Sequence, residues 1–147
     1  MQKITPFLWY NDNAQEAMNF YLSIFKNGKV VHVGDQTVSF ELEGQRFIGL
    51  NGGPVFTFSP AVSFLVNCET QAEVDDFWER LSDGGEQGRC GWLKDKFGLS
   101  WQIVPSILPE MLDDDDPVKA QSVIDAMMQM NKLDIAALKR AYNQGKV

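Results

Sequence analysis

Two stretches of this chain share one pattern of apolar and polar positions. Displacing the sequence by 57 positions, with no gap, sets Phe7 on Phe64, Leu8 on Leu65, Glu16 on Glu73, Phe20 on Phe77 and Gly28 on Gly85. Tyr21 then falls on Trp78 and Ile24 on Leu81, so the apolar spacing coincides as well. One strand-then-helix unit used twice is the expectation. In the first copy, residues 4–10 are rich in β-branched and aromatic side chains and predict a strand. Asn13 is a candidate helix cap with Glu16 three positions on, and Ala14, Ala17, Met18, Tyr21, Ile24 and Phe25 trace one helical face that ends at Asn27-Gly28. Strands are expected at 29–33, 36–43 and 46–51, with Val38, Phe40 and Leu42 alternating against polar neighbours and Gly44 turning a hairpin.

Gly52-Gly53-Pro54 ends that sheet. Residues 55–60 link the copies, and Phe56 and Phe58 are too apolar for a free linker, so both are expected to cover something. The second copy opens with a strand at 61–67 and a T-x-x-E capping box, Thr70 with Glu73. Val74, Phe77, Trp78 and Leu81 follow at i, i+3, i+4 and i+7, Asp83-Gly84-Gly85 stops the helix, and shorter strands are expected at 86–90, 92–95 and 99–104. Beyond Pro105 the pattern turns helical. Asp116-Pro117 opens one helix with a stripe of Ala120, Ile124, Met127 and Met128, and Asp134 caps another carrying Ile135, Leu138 and Tyr142. The fold class is therefore α+β, with tandem βαβββ repeats (3–53 and 61–105) in one domain. A helical tail (106–147) is expected to pack on the body or on a partner subunit.

Composition narrows the function classes. The 147 residues carry a net charge of -7, with 44% apolar and 22% charged residues, as in globular domains. That charge opposes binding to nucleic acid or anionic membrane. No spanning segment or signal peptide is legible, so a cytoplasmic location is expected. Cys68 and Cys90 have no metal-type spacing and read as packing thiols. His32, the one histidine, lies between two valines and reads as an exposed strand residue, its alternative being a general base. Arg89 makes Cys90 the better candidate nucleophile. Asp113 to Asp116 lack the glycine and distal glutamate of a calcium loop. Trp78 and Trp101 are expected in the core, and Trp9 and Trp92 at the rim of a cavity.

Ile4-Thr5-Pro6-Phe7-Leu8-Trp9-Tyr10, the helix ending Asn19-Phe20-Tyr21, and residues 91–105 (GWLKDKFGLSWQIVP) carry a resemblance. The tandem arrangement resembles the vicinal oxygen chelate superfamily, the fold of glyoxalase I, bleomycin-resistance proteins and extradiol dioxygenases. Those segments, and the tail's Ala126 to Met130 and Asp134 to Leu138, resemble its PhnB-like branch, which carries the name 3-demethylubiquinone 3-methyltransferase. The resemblance implies an open cup, a homodimer, and in the superfamily's enzymes a divalent metal held from the first and last strand of each copy. Carried over by register, the ligand positions are Pro6, Gly49, Ser63 and Gln102. None is an imidazole or carboxylate, so no metal and no cofactor are expected. Strand parity sets Leu8, Tyr10, Ser63, Asn67, Ser100 and Gln102 on the cup's inner side, with Asn51 and Trp92 near its mouth. The leading expectation is a metal-free binder of a small molecule. The alternatives are an isomerase, lyase, dioxygenase or methyltransferase acting on a small organic or quinone-like substrate, and a dimeric interaction module without ligand.

Overall fold

The structure, a computed structural model, describes residues 2–145. The chain divides into two compact units that part between Ser59 and Pro60, inside the linker expected between the copies. In the first unit β1 (Phe7–Tyr10) precedes α1 (Ala14–Ile24), and β2 (Gly28–Val33), β3 (Thr37–Leu42) and β4 (Gln45–Asn51) complete a four-stranded sheet of order β1-β4-β3-β2. β1 runs parallel to β4 and the other pairs are antiparallel. Ala14, Ala17, Met18, Tyr21 and Ile24 of α1 are buried, as the helical spacing predicts. Leu8, Tyr10, Val38, Phe40 and Leu42 are buried on the sheet, where each large apolar side chain removed from water contributes about 1.5–3 kcal/mol. Phe40 and Phe47 stack with ring centroids 5.5 Å apart. The linker phenylalanines do cover something: Phe56 meets Trp9 edge-on at 5.0 Å and Phe58 meets Tyr10 at 5.2 Å.

The second unit repeats this plan with β5 (Ser63–Cys68), α2 (Gln71–Ser82), β6 (Glu86–Gln87), β7 (Trp92–Lys94) and β8 (Ser100–Pro105), in the order β5-β8-β7-β6. The 57-residue offset carries α1 onto 71–81, within α2. Thr70 caps α2 by accepting the Glu73 N–H at 3.2 Å, and Glu73 reaches back to the Glu69 N–H at 3.1 Å. Trp78 and Trp101 lie in the core at 5% and 3% exposure.

Three helices finish this unit: α3 (Ile107–Leu112), α4 (Pro117–Met127) and α5 (Ile135–Gln144). Asp116 and Asp134 cap α4 and α5 as expected, accepting from Val118 N–H (2.9 Å) and Ala137 N–H (3.0 Å). α3 is not legible in the pattern because Pro109 stands inside it, tolerated there because N–H groups of the first turn make no intrahelical bond that proline would remove. The tail packs on its own unit. Leu108, Met111, Val123, Leu133 and Leu138 form one apolar cluster with Val104 of β8. Backbone bonds from Cys90 N–H to Met130 and from Gly91 N–H to Asn131 stitch it to the sheet. The expected α4 stripe is corrected in part: Val123 is the fully buried residue, and Met128 is 52% exposed.

Two side chains close the tail. The Gln71 amide donates to Leu133 carbonyl and accepts Ile135 N–H (2.8 Å), and it donates to Asp75 as well. Gln71 and Lys132, the latter 2.9 Å away, hold the Asp75 carboxyl below the usual carboxylate range. Farther along, the Tyr142 hydroxyl donates to Asp114 while Lys119 lies 4.0 Å over the Tyr142 ring. That bond lowers the Asp114 carboxyl and raises the Tyr142 phenol. The acidic run thus serves as a helix cap and a latch.

Candidate functional site

Each sheet packs one face on its helix and leaves the other open, and register decides which residues share a face. In the first unit Leu8 pairs with Gly49 and Val38 with Gly49, while Phe7 pairs with Ile48 and Trp9 with Leu50. A Cβ built on Gly49 would meet Val38, Ala14 of α1 and Tyr10 at 3.2–3.4 Å, which sets that register against the helix. Phe7, Trp9, Ile48 and Leu50 therefore share the open face.

This corrects the parity expected for β1. Tyr10 is 3% exposed, and its hydroxyl hydrogen-bonds the Tyr21 hydroxyl of α1 at 3.0 Å. It is a core residue and not a cavity residue. The ligand positions Pro6 and Gly49 are corrected with it: Gly49 abuts α1, and Pro6 lies ahead of β1 with its carbonyl accepting the Ile48 N–H. The cause is a strand apolar on both sides, so alternation gives no sign of which side is in.

Asn51 also has a structural task. Asn13 makes no side-chain cap, and the Ala14 N–H is instead accepted by Asn51 Oδ1 at 2.9 Å, while Asn51 Nδ2 donates to the Asp35 carbonyl at 3.1 Å. β4 thereby caps α1 from across the fold. Asn51→Ala is expected to lower stability by about 1–2 kcal/mol, read as a shifted urea midpoint, whereas Asn13→Ala should move it little.

The open face of the second unit matches the expected parity. Ser63 pairs with Ser100, Leu65 with Gln102, Asn67 with Val104, and Trp92 with Gln102. Opposite them in parity, Phe64, Trp101, Val66, Ile103 and Leu93 form the face that meets α2. Gln102 Nε2 donates to Ser63 Oγ at 2.9 Å, so these two neutral groups hold each other. Ser100 is 1% exposed, Asn67 is exposed, and Trp92 is half-buried. A cavity of about 120 Å³ beside β6 and β7 brings Trp92 and Ser100 together with Lys94 and Gln87, and leaves out Ser63, Asn67 and Gln102. It has room for a group of a few atoms, since whole-ligand sites run to about 300–1,000 Å³.

Other candidates resolve as packing. Burial, with Glu73 and Glu69 beside it, pushes the Cys68 thiol up to about 12, which keeps it protonated and inert. The Cys90 sulfur rests 3.6 Å from the Met128 sulfur. His32 is an exposed β2 residue, as expected. Sequence reasoning missed the apolar open-face set Phe7, Ile48 and Leu50. It also missed a hollow of about 300 Å³ between α3 and α5, lined by Ile107, Glu110 and Lys139 among others.

Two sheets of equivalent strand order, each packed on one helix, make up a glyoxalase-type fold. Residues 2–104 match the 3-demethylubiquinone-9 3-methyltransferase family, and the chain belongs to that family. A 3-demethylubiquinone-9 3-methyltransferase-like PhnB protein from Bacillus cereus is 36% identical over 71% of this chain and 99% of its own, with a TM-score of 0.66. FosX, a fosfomycin resistance protein from Listeria monocytogenes, has the same fold at 17% identity, over 76% of this chain and 97% of its own (TM-score 0.58). So has a glyoxalase/bleomycin resistance protein from Albidiferax ferrireducens at 13%, over 71% and 98% (TM-score 0.51). No curated protein matches the chain significantly. The family match ends at residue 104, so the helical tail lies outside the matched span. Among the described residues no helix is long and apolar enough to cross a membrane.

Proposed function

We propose that this protein binds a small, partly apolar organic molecule on an open sheet face, without a divalent metal. One observation carries the reading. The open-face positions on the first and last strand of each repeat hold Phe7, Trp9, Ile48 and Leu50 in one unit and Ser63, Leu65, Asn67, Ser100 and Gln102 in the other. Apolar side chains and neutral amides or hydroxyls give area and orientation to an organic ligand, and they leave a divalent ion's charge uncompensated. Among the described residues no three His, Cys, Asp or Glu side chains gather where an ion would be held. FosX is described with Mn(II) and sulfate. The donors here do not fit such an ion, and no metal-dependent step follows for this chain.

Methyl transfer, the activity in the family's description, gains little support from the β1–α1 turn. Asn11, Asp12 and Asn13 contain no glycine, and the nearby Gly52 and Gly53 N–H groups already donate to the Tyr10 and Asn11 carbonyls. A cofactor cradle built from free backbone N–H groups is absent from that turn.

Calorimetric titration with zinc, manganese and nickel should give no tight binding, and native mass spectrometry of freshly purified protein should show a retained small molecule or displace a bound dye. Gln102→Leu is expected to weaken that binding about tenfold by freeing Ser63 and removing the amide. Micromolar metal affinity abolished by Gln102→Leu would overturn the metal-free reading. A protein that neither retains nor accepts any molecule would favour the ligand-free interaction module instead.

A further inference from the structure

Met128 follows the apolar spacing of α4, yet it stands 52% open to solvent just past the end of that helix. Its sulfur lies 3.6 Å from the sulfur of Cys90, which sits in the turn between β6 and β7. The two donors are 38 positions apart in the chain, so the fold and not local sequence brings them together. Backbone bonds fix their meeting: Cys90 N–H donates to the Met130 carbonyl at 2.9 Å, and Gly91 N–H donates to the Asn131 carbonyl at 2.7 Å. Met127 and Met130 pack against the apolar cluster of the tail, whereas Met128 turns to the thiol. A thiol and a thioether are both soft, polarisable donors.

We propose that Cys90 and Met128 together form a site for a soft monovalent cation, Cu(I). Thiolate and thioether ligands select this ion over harder ones, and Cu(I) accepts low coordination numbers. Binding exchanges the Cys90 S–H bond for an S–Cu bond and releases one proton to water. Thiolate and ion then make a neutral unit, so no further countercharge is needed. With metal–sulfur bonds of about 2.3 Å, two sulfurs 3.6 Å apart share one ion at a bent angle, and rotation of the exposed Met128 side chain opens that angle. Zinc, which takes four donors in a closed site, is not served by this pair. Cys68 does not compete, because it is buried and its thiol stays protonated. In the metal-free chain the two sulfurs simply pack on each other. The site stands where the tail meets the sheet, outside the open-face residues assigned to the organic ligand, and it holds or fails independently of that reading.

Anaerobic titration of the full chain with Cu(I), in competition with the chromophoric chelator bicinchoninate, tests the site. The native protein should take one Cu(I) per chain and in doing so protect Cys90 from alkylation by iodoacetamide, read by peptide mass. Met128→Leu, which keeps the bulk of an exposed side chain and removes its sulfur, should weaken the affinity about tenfold or more, and Cys90→Ser should abolish it. Met130→Leu alters a side chain that packs on the core and should leave the affinity within about threefold of native. Circular dichroism melting reports whether each variant is folded, and where Cys90→Ser is not, alkylation of the native protein decides. No uptake against the chelator, an affinity indifferent to Met128→Leu, half an equivalent bridging two chains through Cys90 alone, or a Cys90 left unprotected would each overturn the proposal.

Discussion

Asp95→Ala is expected to destabilise the second unit by about 3–5 kcal/mol, the largest single effect in the chain. The carboxylate is 2% exposed and sits in the turn between β7 and β8. Its Oδ1 accepts the Phe97 and Leu99 N–H groups at 2.9 and 3.0 Å, and Oδ2 accepts the Trp101 Nε1–H at 2.9 Å. Alanine would leave those donors without this acceptor, two of its three bonds being buried, and open a void beside the indole. The backbone of the turn depends on the same residue: Asp95 N–H and carbonyl bond Leu99 and Gly98, and Gly98 takes a φ of +89° that an L side chain resists. Asp95→Asn separates the contributions. An amide oxygen can replace Oδ1, but its NH₂ then faces the Trp101 N–H, donor against donor, so about half the loss should remain. Urea unfolding followed by tryptophan fluorescence is the measurement. A loss under about 1 kcal/mol for alanine would mean that the turn does not need the carboxylate.

Leu133→Ala is the second large effect, about 2–4 kcal/mol, and it should be local. Leu133 is fully buried between Val104 of β8 and the helices α3, α4 and α5. Its carbonyl is held by Gln71, and its side chain lies within 3.0 Å of where a Cβ on Gly91 would stand. The substitution empties the joint between tail and sheet while leaving β1 to β4 intact. Amide hydrogen exchange should therefore quicken in α4 and α5 far more than in β3, whose protection reports the first unit. Uniform acceleration through both units would contradict the docking described here. The family match stops at residue 104, so this joint connects the shared body to the addition.

Which strand face turns away from the helix was legible in the second repeat and illegible in the first, for one physical reason. In β5 the residues differ in polarity between faces, Ser63 and Asn67 against Phe64 and Val66, so parity could be read. In β1 the run Phe7, Leu8, Trp9, Tyr10 is apolar on both faces, and only the helix lying on Tyr10 and Gly49 selects the inner one. The β1 register slipped by one residue for that reason, and every side chain assigned from it changed face. Asn51 illustrates the other limit: nothing local indicates that it caps a helix 37 positions away.

By itself the sequence determined the duplication, the order and kind of the elements in each copy, the core faces of α1 and α2, and the caps at Thr70, Asp116 and Asp134. All of these follow from periodicity and short-range hydrogen bonding, which act over a few residues. Only the tertiary structure decided which face of β1 is buried, that Asp95 and Asn51 are polar keystones of packing, and that the tail docks on Val104 of its own unit. Those outcomes rest on contacts between residues far apart in the chain, where a polar side chain's partner, and so its purpose, is set by what the fold places beside it.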